Sequence, residues 1–116
     1  MTFICYSKCS TCKKAETWLI EHNFNFQKRA IKDETPSSKE LETYWKRSGL
    51  PLKKFFNTSG LVYRKLNLKD KLKDMSEEEQ LKLLSTDGML IKRPLLITEK
   101  NVLVGFNPIK WEAELI

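Results

Sequence analysis

The sequence predicts an α/β protein: a four-stranded mixed sheet flanked by helices, with a helical insertion between an N-terminal β-α-β unit and a C-terminal β-hairpin. Three observations predict it. A short apolar, β-favouring run at the start gives way to apolar residues at helical spacing. Near the other end, PLLIT and NVLVGF form two β-rich runs separated only by EK. Most of the chain between these regions carries helix starts, helix stops and turn residues.

Thr2 to Tyr6 reads as the first strand, and Ala15, Trp18, Leu19 and His22 then fall at i, i+3, i+4 and i+7, so a helix follows with Cys9 in the loop before it. Asn23 can end that helix, and FNFQKRAI alternates like a half-buried strand. In TPSSKELETYWKRSG, a Pro and Ser start and a Gly stop enclose Leu41, Tyr44 and Trp45 on one helical face. Leu50 to Leu72 mixes short apolar groups with Gly60 and asparagines, which favours short helices over strands. Ser76 with Glu79 three residues later is a capping-box signature, so a helix should run through Leu81 and Leu84 towards Gly88. After the hairpin, Ile109, Ala113 and Ile116 predict an apolar stripe on a final short helix. This order is the one a thioredoxin-like fold requires, and a C-x-x-C beside a β-α-β pattern points the same way.

A length of 116 residues suits one domain, residues 1–116. Hydrophobic residues at 41% and charged residues at 31% are enough for an ordinary core and exclude compositional disorder. The N-terminus lacks a charged segment followed by a long apolar run, and no apolar stretch approaches the roughly 18–20 residues that cross a bilayer. The expected address is the cytoplasm, away from any membrane. The net charge of +6 is concentrated in residues 1–60, where 11 basic side chains face 6 acidic ones, so anionic substrates or acidic proteins would be drawn to that half. No base-reading motif or aromatic-interleaved basic stripe accompanies it, which argues against direct nucleic-acid binding.

All three cysteines lie in CYSKCSTC, residues 5–12. In a reducing compartment such a cluster is catalytic, redox-sensing or metal-binding rather than a structural staple. The C-x3-C-x2-C spacing also occurs around iron-sulfur clusters of barrel enzymes, but those need about 200 residues or more. Zinc wants four Cys or His ligands in spaced pairs, and the single histidine, His22, falls at the far end of the predicted helix. No metal is therefore expected. Cys5, inside the first strand, reads as a small core residue. Cys9 reads as an activated thiol, because unpaired N–H groups and the partial positive charge at a helix start favour thiolate. Lys8, Lys13 and Lys14 should add positive charge, and Ser10 and Thr11 hydroxyl donors. Thiols so placed have pKa values of roughly 3.5–7.5, against about 8.5 when free. Cys12, one helical turn on, is spaced to resolve a mixed disulfide or sulfenic acid formed at Cys9.

Taken together, YSKCSTCKKAETWL, SGLPLKKFFNTSGLVYRKLNLKDKL, the tripeptide KRP and the ending LVGFN resemble the ArsC/Spx family. That family holds thioredoxin-fold arsenate reductases and the Spx transcriptional regulators. The resemblance spans nearly the whole chain and implies a thioredoxin-like fold with a helical insertion. In the family's glutaredoxin-linked arsenate reductases, a cysteine at the first helix start attacks arsenate while three arginines hold the oxyanion. Cys9 matches the cysteine and Arg93 one arginine, and Pro94 is implied to be the cis-proline that shapes the thiol-substrate groove. Asn57 and Phe106 stand where the other two arginines would be. They supply one neutral amide and no donor in place of charged forks, which counts against efficient arsenate reduction. Cys12 is absent from those monothiol enzymes and matches the C-x-x-C redox switch of the Spx regulators.

The resemblance thus implies a thiol-dependent oxidoreductase without a bound cofactor. Cys9 would attack, Cys12 resolve, and Arg93 contact the substrate. Glutathione or a thioredoxin- or glutaredoxin-type protein would be the reductant. The alternative it implies is an Spx-like redox-switched regulator that binds RNA polymerase. Spx proteins usually continue into a basic tail beyond the position of Ile116.

Overall fold

A computed structural model describes residues 1–116. Four strands, β1 (Thr2–Cys5), β2 (Gln27–Ala30), β3 (Leu95–Ile97) and β4 (Val102–Val104), form one sheet in the order β2-β1-β3-β4. β1 and β2 are parallel, with Thr2 opposite Gln27, and β1, β3 and β4 are antiparallel neighbours, with Ile4 opposite Leu95 and Leu95 opposite Val104. Six α-helices accompany the sheet: α1 (Ser10–Glu21), α2 (Ser38–Ser48), α3 (Leu61–Lys65), α4 (Leu68–Lys71), α5 (Glu77–Thr86) and α6 (Pro108–Leu115). The fold is the thioredoxin-like α/β arrangement, with α2 to α5 inserted between the β-α-β unit and the hairpin.

Side-chain alternation along the central strands produces two cores, one on each face of the sheet. Phe3, Cys5, Leu96 and Leu103 point to the face covered by α1 and α6, where Cys12, Ala15, Leu19 and Trp111 meet them. Ile4, Leu95 and Val102 point to the other face and pack with Leu41, Leu81, Leu84 and the apolar residues of the insertion. Burial on both sides explains why β1 and β3 read as unbroken apolar runs.

The helices start and stop where local chemistry dictates. Ser37 and Ser76 cap α2 and α5 with complete capping boxes to Glu40 and Glu79. Gly49 ends α2 at φ +70°, a left-handed conformation that costs glycine little. Gly88 serves proximity instead, since a Cβ there would lie 2.1 Å from the Ile31 carbonyl oxygen; it seats the end of the insertion against the chain leaving β2.

Two expectations are corrected. The strand in FNFQKRAI is not half-buried: Phe24 and Phe26 pack on the α1 side before it begins and Ile31 is buried after it, leaving Gln27, Lys28 and Ala30 exposed. β2 is an edge strand, and charged residues there discourage pairing with another chain. The stripe of Ile109, Ala113 and Ile116 does not face the core. Ile109 is 82% exposed, whereas Trp111 is 1% exposed and its indole N–H donates to the Gly105 carbonyl at 3.2 Å. The larger indole sets the helix's rotation, and Leu115, four residues on, completes its buried side.

Candidate active site

Cys9 occupies the N-cap of α1, in extended conformation with φ −94° and ψ 119°. Its sulfur accepts a hydrogen bond from the Cys12 N–H at 3.4 Å, so the thiol stands where a capping oxygen usually does. The Cys9 N–H donates to the Tyr6 carbonyl at 3.1 Å, which fixes the loop between β1 and α1. Helix and loop thus aim the sulfur into a groove of about 510 Å³.

Across that groove lies Arg93. Continuing the antiparallel pairing of Ile4 with Leu95 by two residues brings Arg93 beside Tyr6, and its guanidinium lies 5.2 Å from the centre of the Tyr6 ring. Nε and Nη1 of Arg93 are buried with no hydrogen-bond partner. Buried donors normally find acceptors, so two left open beside a thiol make a ready place for an anionic or carbonyl group. The Arg93–Pro94 peptide is cis.

Burial pushes the Cys9 thiol pKa up, but the Cys12 backbone N–H, the Cys12 side chain and the nearby Arg93 guanidinium outweigh it and leave the pKa below that of a free thiol. Cys12 goes the other way. It is 3% exposed, and its burial, against a hydrogen bond from the Tyr6 N–H and reinforced by the neighbouring Cys9, raises its pKa to about 12. The pair therefore holds one ionisable thiol facing the groove and one protonated thiol behind it.

Of the residues expected at the site, Cys9, Thr11 and Arg93 line the groove, and Ser10 and Pro94 do not. Ser10 is exposed on the first turn of α1, and Pro94 is buried behind Arg93, where its carbonyl accepts from the Gly105 N–H at 2.8 Å. Lys8, Lys13 and Lys14 are exposed, and the cation that acts on Cys9 is Arg93. Asn57 lines the groove, whereas Phe106 packs its ring 4.9 Å from that of Trp111, away from it. The remaining lining, Ser59, Gly60, Leu61, Val62, Met89 and Lys92, comes from the insertion and the approach to β3. Residue-level reading missed these, although the Asn and Gly punctuation around 57–60 was the available signal. No three His, Cys, Asp or Glu side chains are placed to hold a metal ion.

A thioredoxin-like sheet with a helix-capping cysteine, a second thiol one turn on and an arginine beside a cis-proline defines a class of thiol-based α/β proteins. Residues 5–113 match the ArsC family, and the chain belongs to it. It is 54% identical to the uncharacterised protein YusI of Bacillus subtilis over 97% of this chain and 95% of that one. It is 31% identical to the regulatory protein MgsR of B. subtilis, covering 93% of this chain and 84% of that one. A solved structure of an ArsC family related protein from Bacteroides fragilis superposes with a TM-score of 0.94 at 54% identity, covering 97% of this chain and 94% of that one.

Proposed function

We propose that this protein is a thiol-disulfide oxidoreductase of the arsenate-reductase-like kind, with residues 1–116 acting as one domain in a reducing, cytoplasmic setting. The observation that carries the reading is the pairing of Cys9, hydrogen-bonded at the start of α1, with the unpartnered Nε and Nη1 of Arg93 in the same groove. The Cys9 thiolate attacks one sulfur of a substrate disulfide, forms a mixed disulfide and expels the first substrate thiolate. Cys12 then gives up its proton and attacks the Cys9 sulfur, which releases the second substrate thiol and leaves a Cys9–Cys12 disulfide. Two electrons from glutathione or a thioredoxin- or glutaredoxin-type protein restore both thiols.

Arg93 holds an anionic group of the substrate, the Thr11 hydroxyl serves as a donor at the helix start, Ser10 stays outside the groove, and Pro94 supports the groove from behind Arg93. With a neutral amide at Asn57 and Phe106 turned into the aromatic cluster, Arg93 is the groove's one arginine, and a disulfide suits the site better than a bare oxyanion. The test is reduction of hydroxyethyl disulfide with glutathione as electron source. Cys9→Ser should abolish turnover, and Cys12→Ser should accumulate the mixed disulfide; turnover surviving in Cys9→Ser overturns the assignment.

The similarity to a regulatory protein supports a second reading, a redox-switched regulator that binds RNA polymerase and turns over nothing. Polymerase retained on the immobilised chain in only one of the oxidised and reduced states, with no reductase activity in either, would establish it.

A further inference from the structure

Cys5 is the cysteine that this reaction leaves idle, yet it does not sit among hydrocarbon alone. Strand alternation turns Phe3 and Cys5 towards α1, and Cys12, the one buried residue of that helix's first turn, joins them in the same cluster, with Cys9 packed at its edge. Cys5 and Cys12, 8% and 3% exposed, line a second cavity of about 370 Å³ between α1 and β2. Cys9 does not reach that cavity, just as Cys5 and Cys12 do not reach the groove. A Cys9–Cys12 disulfide would therefore run from the front groove to the rear cavity. Thiol-disulfide exchange proceeds by attack on a disulfide sulfur, with the attacking sulfur in line with the bond that breaks. Cys5 shares both the buried cluster and the rear cavity with Cys12, so it is the thiol on that side of such a disulfide.

We propose that Cys5 is a second internal resolving thiol, which takes Cys12 over from Cys9 and moves the disulfide to the rear cavity. This rests on the reading that a Cys9–Cys12 disulfide forms. The Cys5 thiol releases its proton to solvent in the rear cavity and its sulfur attacks Cys12 Sγ. The Cys5–Cys12 bond forms as the Cys9–Cys12 bond breaks, and the electron pair leaves on Cys9. One disulfide replaces another, so no oxidant or reductant is consumed. Cys9 is the better leaving group because its thiolate is stabilised, whereas burial raises the Cys5 pKa and makes its attack the slow step. The front thiolate is restored while the oxidising equivalents are held behind it, between two buried sulfurs.

Trypsin makes the test direct, since cleavage after Lys8 and Lys13 puts Cys5 in MTFICYSK and both other cysteines in CSTCK. The folded chain is treated with one equivalent of diamide, quenched in acid with N-ethylmaleimide at intervals, and mapped by mass spectrometry. The expected sequence is a loop within CSTCK first, then loss of that loop as MTFICYSK becomes crosslinked to CSTCK through Cys12, with the maleimide on Cys9. Cys9→Ser should form the crosslink directly, and Cys5→Ala should stop at the loop. A loop that persists with Cys5 alkylated overturns the relay and leaves the dithiol reading standing. A crosslink to Cys9 overturns the relay as well, and the absence of any disulfide in the folded chain overturns both.

Discussion

At the amino ends of α2 and α5, a serine hydroxyl accepts from the N3 backbone N–H at 3.1 Å, and the N3 glutamate accepts from the serine N–H at 3.0 Å. At the amino end of α1 a cysteine sulfur takes the hydroxyl's place at a looser 3.4 Å, and the first turn contains no acidic residue. The serine-capped ends are closed on themselves: donors are satisfied locally and carboxylates answer the helix dipole. The cysteine-capped end keeps its partial positive charge for whatever negative charge develops on sulfur. The same backbone feature is closed by its own side chains at two places in the molecule and left facing a thiol at the third.

The strongest way to sharpen this contrast is to make α1 resemble the others. Cys9→Ser gives it a hydroxyl cap, so disulfide reduction should fall to background while the melting temperature stays level or rises. A melting temperature that collapses would show that the thiol is structural.

Arg93→Ala should come next in size. Alkylation of Cys9 by iodoacetamide, followed against pH, should in the parent chain reach its plateau below the pH at which a free thiol does, with Cys12 unreactive until the pH approaches about 12. Removing the guanidinium should move the Cys9 midpoint upward. The signs for stability are opposite for the two thiols. The contribution of Cys9, whose folded pKa is lowered, is present above its unfolded value and lost as pH falls through the folded one; that of Cys12 is full below the unfolded value and lost as pH rises towards about 12.

Ser76→Ala should cost about 1 kcal/mol in denaturant unfolding. It should leave the Cys9 alkylation profile unmoved, and a shifted profile would break the separation of scaffold from site. The smallest effect belongs to Glu40, which also accepts two hydrogen bonds from Arg29, at 2.7 and 3.0 Å, and has its pKa lowered to about 2. Its contribution is present above the ordinary carboxylate range and lost as pH falls towards about 2. Because the pair is partly exposed, screening should hold it to about 1 kcal/mol or less, read as an acid-side slope in stability that Arg29→Ala flattens.

Elements announced by contacts within four residues were legible in the chain: both capping boxes, the Gly49 stop, the helical period from Ala15 to Leu19, and Cys9 at a helix start. The rotation of α6 was not, because Ile109 and Trp111 are both apolar and only the indole's fit beneath the hairpin chooses between them. Nor was the cation beside Cys9. Lysines adjacent in sequence looked suited to the role, but exposed chains pointing to water contribute little beside an arginine held against a tyrosine ring.

The sequence alone determined the type and order of the main elements and the presence of a cysteine at a helix start, since those depend on periodicity and hydrogen bonds between near neighbours. Tertiary structure decided which residues meet Cys9 and which meet Cys12. The placement of β3 beside β1 carries Arg93 to the front of the sheet's end, and the pleat of β1 turns Cys5 to the rear. Both follow from strand pairing and two-sided burial, which join residues far apart in the chain and leave no local signature.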